Sequence, residues 1–304
     1  MSLPVIFILG PTAIGKSDFA IKLAKKLNGE IINADSMQVY SELSIITARP
    51  TSKDIKILPH HLYGHVSGSQ RYNVARWCKE STEVINQNKK NKIHSIVVGG
   101  TGLYVDKLIN GIADIPYINE KDKKKTNDLF KKIGMQKFYE RVYQVDKNSC
   151  KKISKNDTQR LKRIWEVFQS TGIPLSQWID KKHIKKFKNI NFKIFLFLPN
   201  RNEVYRNVDK RFIRMINGGA LEEVKNLIKM KFDKTLPIMR AHGVPEICNY
   251  LAGSSNLEEC IKFGQQVTRN YVKRQFTWWN SSKIRIHKVF NEFPGNIDVK
   301  SIDI

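Results

Sequence analysis

Residues 5–17 read VIFILGPTAIGKS, and this stretch decides the fold. Val5 to Leu9 form a continuous apolar run, the pattern of a buried parallel strand. GPTAIGKS (10–17) then fits the phosphate-loop pattern G-x-x-x-x-G-K-[ST] through Gly10, Gly15, Lys16 and Ser17. A helix is predicted from about Lys16 to Leu27, with Phe19, Leu23 and Leu27 on one face and Asn28-Gly29 as its stop. EIINAD (30–35) reads as a second strand. In this context the loop Gly10, Pro11, Thr12, Ala13, Ile14 and Gly15 forms an anion cradle from backbone N–H groups and a helix N-terminus. Lys16 adds a point charge, and Ser17 is the natural ligand for Mg²⁺.

Two further strands are predicted outward from there. HSIVVGGTGLY (94–104) runs into a glycine-rich turn, and NFKIFLFLP (191–199) is stopped by Pro199. Strands alternating with helices imply an α/β fold: a phosphate-loop-type, mostly parallel sheet flanked by helices. The middle of the chain differs. Lys121 to Arg163 carry 15 Lys/Arg against 5 Asp/Glu, a net of +10, whereas residues 1–60 carry 7 against 5. This basic stretch has helical patterning and no strand candidate. The expected division is a catalytic core of 1–113 and 191–304 with an all-helical insertion at 114–190. After Pro199 the chain reads as helical to about Asn280, and its last two dozen residues give no clear pattern.

Composition narrows the partners. The 304 residues are 41% hydrophobic, enough for a real core, yet the net charge is +25 and the pI about 9.9. Such an excess points to a polyanion, nucleic acid or an acidic membrane surface, with coding bias toward Lys, Asn and Ile explaining part of it. No apolar run approaches the ~18 residues of a membrane span, so no membrane partner is expected. The N-terminal run is too short, and lacks the basic flank, for a signal peptide. Cys78, Cys150, Cys248 and Cys260 have neither C-x-x-C nor His spacing, which suggests a reducing cytoplasm rather than a zinc site or disulfides.

Ligands of open α/β sheets bind at the carboxyl ends of the strands. The first strand ends in the phosphate loop. The second ends at Asp35, which one crossover should place near that loop; it is a proton acceptor, a helix N-cap or a Mg²⁺-linked carboxylate. The third ends in Gly99-Gly100-Thr101-Gly102, where a nucleotide hydrolase would carry a Walker-B Asp. The fourth leads into a helix with Val204, Val208, Phe212 and Met215 on one stripe. Arg211 falls within that stripe, facing either an anion or a structural carboxylate.

These residues belong to a recognisable set: GPTAIGKS (10–17), DSMQVY (35–40), TARPT (47–51), GGTGLY (99–104), NDTQRLKRIWEVF (156–168), RFIRMINGGALEEV (211–224), RAHGVPE (240–246) and TRNYVKRQFTWW (268–279). In order and nearly end to end, they resemble the bacterial tRNA dimethylallyltransferases, also called tRNA isopentenyltransferases. The resemblance implies transfer of a dimethylallyl group from dimethylallyl diphosphate to N6 of the adenosine just 3′ of the anticodon, in tRNAs reading codons that begin with U. Pyrophosphate leaves, and the family suggests a monomer.

By the same resemblance, Asp35 is the general base, while Thr101 and Arg211 act on the leaving diphosphate held by the phosphate loop and Mg²⁺. The adenosine must be flipped out of the anticodon stem-loop, with Ser36, Met37 and Gln38 lining its pocket. The basic insertion would grip the RNA through Lys123, Gln159, Arg160, Leu161, Lys162 and Arg163, with Arg160 and Arg163 one turn apart and Leu161, Trp165 and Phe168 toward a core. Arg269, Lys273 and Arg274 are weaker RNA candidates, and Trp278 and Trp279 read as core.

The chain departs from the family pattern where the common G-T-A-K-P reads Ile46-Thr47-Ala48-Arg49-Pro50, and where Lys123 takes a position often held by Arg. It has no C-terminal zinc-finger ligands of the kind some eukaryotic relatives carry. Rival readings are a kinase using the same loop with ATP, which the missing Walker-B acid disfavours, and a non-catalytic RNA-binding protein, which intact Lys16, Ser17, Asp35 and Arg211 disfavour. A related class that prenylates free adenine nucleotides would not need the basic insertion.

Overall fold

The computed structural model describes residues 3–181, 183, 185, 187 and 190–304. The chain divides into two compact units, Met1–Leu108 with Phe187–Ile304, and Ile109–Lys186. Part of the stretch assigned by sequence to the end of the insertion lies outside the described residues.

The first unit carries a six-stranded sheet. It starts with β1 (Val5–Leu9), α1 (Lys16–Leu27), β2 (Gly29–Asn33), α2 (Ser52–Ile57), β3 (His60–His61), α3 (Val74–Lys90) and β4 (His94–Gly99). α4 (Gly102–Asn110) follows and runs past the division at Leu108. All strand pairings are parallel, in the order β3-β2-β4-β1-β5-β6. All five side chains of β1 are buried, because helices cover both faces of a parallel sheet. Each such burial is worth about 1.5–3 kcal/mol.

The second unit is helical: α5 (Glu120–Val145), α6 (Lys147–Cys150), α7 (Thr158–Thr171) and α8 (Leu175–Asp180). α5 bends at Gly134, whose φ of 75° no helix accommodates. Phe138, Val142, Cys150, Leu161 and Ile164 form the core of this unit. Buried Asp146 ties α6 to α8, accepting from Ser149 N (3.0 Å), Ser149 Oγ (2.7 Å) and Ser176 N (2.9 Å).

The chain then returns to the sheet as β5 (Phe192–Phe197), α9 (Arg201–Met215), a π-helical turn at Ile216–Ala220, α10 (Leu221–Lys229), α11 (Val244–Leu251), α12 (Leu257–Ser281) and β6 (Lys288–Phe290). The sequence reading omitted β3 and β6. Two histidines, and Lys-Val-Phe, are too short to show a period. Only their neighbours make them strands: β6 pairs with β5, and Phe290 stacks on its cross-strand partner Phe197 at 4.8 Å.

β1 and β2, joined by the α1 crossover, are not neighbours in the sheet. β4 stands between them, with Leu9 opposite Gly99 and Asn33 opposite Val98. The three strand ends therefore share one edge, and the middle one carries only glycine beyond Val98.

Candidate active site

The phosphate loop closes β1 onto α1. Gly15 sits at the helix N-cap with φ 88° and offers no side chain to cap it, so the first N–H groups of α1 face outward for an anion. Lys16 folds back over its own loop, donating from Nζ to the Pro11 carbonyl at 2.6 Å. Part of its stem reaches solvent, but its ammonium end is enclosed. Desolvation, then the nearby charge of Arg211, bring its pKa down to about 7 against the opposing pull of Asp35. Thr12 is spoken for on both sides. Its N–H donates to Gln275 Oε1 (3.0 Å), and its hydroxyl accepts from Arg211 Nη2 (2.8 Å).

Gln275 is a residue the sequence reading left unassigned. It lies on α12, is 4% exposed, and donates through Nε2 to the Gly100 carbonyl at 3.2 Å. One amide thus latches the phosphate loop to the glycine turn after β4. The glycines there are needed for space. A Cβ on Gly99 would collide with the Ala34 carbonyl, and one on Gly100 with the Gln275 amide.

Asp35 emerges just past the end of β2. Asn33, fully buried, holds it from both sides: Asn33 Oδ1 accepts from Asp35 N (2.8 Å), and Asn33 Nδ2 donates to the Asp35 carbonyl (2.9 Å) and to that of Leu62 (2.9 Å). The Asn33 carbonyl in turn accepts from Trp77 Nε1 at 2.6 Å. Asp35 Oδ1 accepts from Met37 N (2.8 Å) and Gln38 N (3.3 Å), so one oxygen caps a turn, and no helix starts there. The other oxygen has no hydrogen-bond partner among the described residues.

Arg211 lies on α9 among buried Val208, Phe212 and Met215. Desolvation lowers its pKa to about 10, with Asp35 opposing and Arg214 reinforcing the shift. No carboxylate forms an ion pair with it among the described residues. Thr101 lines neither cavity described below. Its backbone N–H donates to Ala34 O at 3.3 Å. Its buried hydroxyl has no well-formed hydrogen bond among the described residues, although the Tyr271 hydroxyl is near enough to be influenced by it.

Two cavities meet at Thr12, Asp35 and Arg211. One is polar and is walled by the loop from Thr12 to Ser17, by Asp18, Gln38, Gly99 and Gly100, and by Asn207 and Arg214 of α9. The other is mainly apolar, with Met37, Ile46, Val208, Phe212, Met215 and Tyr271 among its lining, and Ser36 and His242 at its wall. Gly10 and Pro11 line neither. A Cβ on Gly10 would meet the Phe197 carbonyl, so that glycine serves loop packing.

The departure at Ile46-Thr47-Ala48-Arg49-Pro50 forms part of this wall. Gln38 Nε2 donates to the carbonyls of Thr47 (2.8 Å) and Ala48 (2.9 Å). Glu223 of α10 accepts the N–H groups of Ser44, Ile45 and Ile46 at 2.7–2.9 Å. Arg49 turns away and donates to the Tyr40 carbonyl at 3.0 Å. The loop is a fixed wall, and its arginine is structural.

In the helical unit, Gln159, Arg160 and Arg163 stand exposed on α7. Arg160 lies 3.3 Å from Asp157, the N-cap of the same helix. Lys123 pairs with exposed Glu120 at 2.6 Å. Two of the expected RNA-contact residues make contacts within the unit. Leu161 is fully buried in the core of the unit, so its side chain cannot reach a ligand. Lys162 is tied down inside the unit, donating to Asn127 Oδ1 at 2.8 Å and lying over the Phe130 ring at 4.3 Å. In the sheet unit, Arg269 is a structural residue, its Nη1 donating to both carboxylate oxygens of Asp209 at 2.7 and 2.8 Å.

No helix among the described residues is long and apolar enough to cross a membrane. Two family models match the chain, IPP transferase over residues 38–282 and isopentenyl transferase over residues 3–62. The tRNA dimethylallyltransferase of Ehrlichia chaffeensis is 39% identical over 90% of this chain and 90% of its own length. That of Wolbachia pipientis from Culex pipiens is 40% identical over 96% and 94%. Among solved structures, a eukaryotic dimethylallyltransferase acting on tRNA superposes with a TM-score of 0.78 at 31% identity, covering 91% of this chain and 70% of that one. The full-length tRNA isopentenylpyrophosphate transferase of Bacillus halodurans gives 0.66 at 29%, covering 94% and 88%. With its loop, strand-end carboxylate and α9 arginine in one site, this chain belongs to the tRNA dimethylallyltransferase family.

Proposed function

We propose that the polar cavity holds the diphosphate of dimethylallyl diphosphate and that the apolar cavity receives the prenyl group and the flipped adenosine beside the tRNA anticodon. The observation that carries this reading is Asp35, at the wall common to a cationic and an apolar cavity, with one oxygen fixed by backbone N–H groups and the other without a hydrogen-bond partner among the described residues. The adenine N6 attacks C1 of the prenyl group, the C1–O bond breaks, and pyrophosphate departs toward Lys16 and Arg211. The free oxygen of Asp35 takes the N6 proton. The N–H groups of the phosphate loop and Arg211 stabilise the charge that develops on the leaving group.

Ser17 would hold Mg²⁺ through its exposed hydroxyl at the polar cavity. The ion would neutralise charge on the diphosphate. No cluster of three His, Cys, Asp or Glu competes for it among the described residues. The exposed arginines of α7 supply the grip on tRNA phosphates. A tRNA substrate and four free cysteines support a cytoplasmic setting for the reaction.

The test is transfer of label from dimethylallyl diphosphate to unmodified tRNA in Mg²⁺, read by nucleoside mass spectrometry. Prenylated adenosine is the expected product. Hydrolysis of ATP with no prenyl transfer would overturn the reading in favour of a kinase.

A further inference from the structure

α9 presents Asn207, Arg211 and Arg214 to the polar cavity, at i, i+4 and i+7 on one helical face. Arg211 is half-buried and anchored on Thr12. Arg214 is exposed and has no hydrogen-bond or ion-pair partner among the described residues. Other arginines of this region are neutralised: Arg206 lies 3.7 Å from Glu203, and Arg269 pairs with Asp209. The charge of Arg214 also falls on Arg211, where it disfavours the cationic form. Two like charges one turn apart repel each other, a cost that an anion between them would turn into attraction. Lys16 lines the same cavity.

We propose that Arg214 is a second guanidinium for the diphosphate, acting on its terminal phosphate. The proposal rests on the prenyl-transfer reading of the cavity. Arg211, beside Asp35 and Thr12, faces the end of the diphosphate where the C1–O bond breaks. Arg214 lies one turn, about 5 Å, further along the helix, toward solvent. Its place at the exposed rim makes it a residue of capture and release. A charge that stays hydrated contributes to holding the anion in ground state and transition state alike, and so acts on KM rather than kcat.

The experiment is calorimetric titration of the whole protein with inorganic pyrophosphate and, separately, orthophosphate. Arg214→Gln is expected to weaken pyrophosphate about tenfold and orthophosphate less than twofold, with partial recovery in Arg214→Lys. KM for dimethylallyl diphosphate should rise by the same factor as the pyrophosphate Kd, at unchanged kcat. Unchanged pyrophosphate affinity in Arg214→Gln overturns the proposal. So does a loss confined to the KM for tRNA, which would make Arg214 an RNA contact. Absence of prenyl transfer by the wild-type protein would sink the functional reading alone, because pyrophosphate binding is measured without it.

Discussion

In the sheet unit, Lys16 and Arg211 are partly desolvated and line one cavity with Asp35. In the helical unit, Arg160 and Arg163 stand in solvent over an apolar core. Both sets are cationic, yet their surroundings give them different physics. Desolvation brings Lys16 down to about 7 and Arg211 to about 10, so each responds strongly to a ligand's charge. The exposed arginines keep their hydration, and a pair such as Arg160–Asp157 is worth at most about 1 kcal/mol. Enclosed charge does chemistry at one atom, whereas exposed charge makes a field that many phosphates can enter.

The largest effect should come from the enclosed set. Asp35→Asn keeps the Oδ1 acceptor for Met37 and Gln38 but removes the proton acceptor. Single-turnover prenyl transfer should fall about 10³-fold while tRNA still binds. Near-normal turnover would leave Asp35 a turn cap only.

Lys16 gives the next effect, with a definite sign. Below pH 7 its ammonium form is already present when pyrophosphate arrives. Above pH 7 binding must draw a proton onto it. Pyrophosphate affinity should therefore drop by up to about tenfold per pH unit above neutrality, and lose that component in Lys16→Met. Calorimetry in buffers of different ionisation enthalpy reads the proton uptake directly. Uptake that is unchanged in Lys16→Met would assign the proton to another group.

A third test asks whether the helical unit also contains charge that works by enclosure. Burial opposes the charge of Asp146, but the hydrogen bonds from Ser149 and Ser176 outweigh it and hold its carboxyl below the usual range. Asp146→Ala should cost about 2–3 kcal/mol by stranding three donors, seen as faster hydrogen exchange in α6 and α8. A carboxyl depressed in the fold stabilises above its unfolded pKa of about 4 and is lost as pH falls through the lower folded value. Protection of those amides should weaken in acid, and Asp146→Asn should remove that dependence. Equal acid sensitivity in Asp146→Asn would rule out this carboxyl as the cause.

How much of this was legible in the sequence follows the same divide between enclosed and exposed. The loop, β1, β4, β5 and the stripe of α9 announce themselves through local pattern, because apolar runs and the glycine–lysine spacing are imposed by nearest neighbours. Asp35 and Arg211 were legible because each sits at the end or on the face of such an element. Asn33, Gln275 and Glu223 were not. Each fixes a backbone segment through a side-chain hydrogen bond, two of them across more than a hundred residues, and an amide or carboxylate carries no sign of which N–H it will meet. The basic run misled in one respect. It is read as a block, but the helix sorts it by face, sending Leu161 into the core and Lys162 onto Asn127 while Arg160 and Arg163 stay outside.

That sorting sets the smallest prediction and the sharpest test of the comparison. If exposed charge acts as a field, Arg160→Ala with Arg163→Ala should raise the Kd for tRNA by about tenfold and reduce the slope of log Kd against log salt by about 1.5, as two phosphate contacts are lost. kcat at saturating tRNA should stay within about twofold, since neither residue meets the reacting atoms. Lys162→Ala, one position away, should lower the salt slope less than either arginine change, because its ammonium is held against Asn127 and Phe130. Its cost should appear instead as a modest loss of thermal stability, since the stem covers apolar surface. Equal salt slopes for all three arginine and lysine changes would mean that the face of α7, as distinct from its net charge, does not decide where the RNA is gripped.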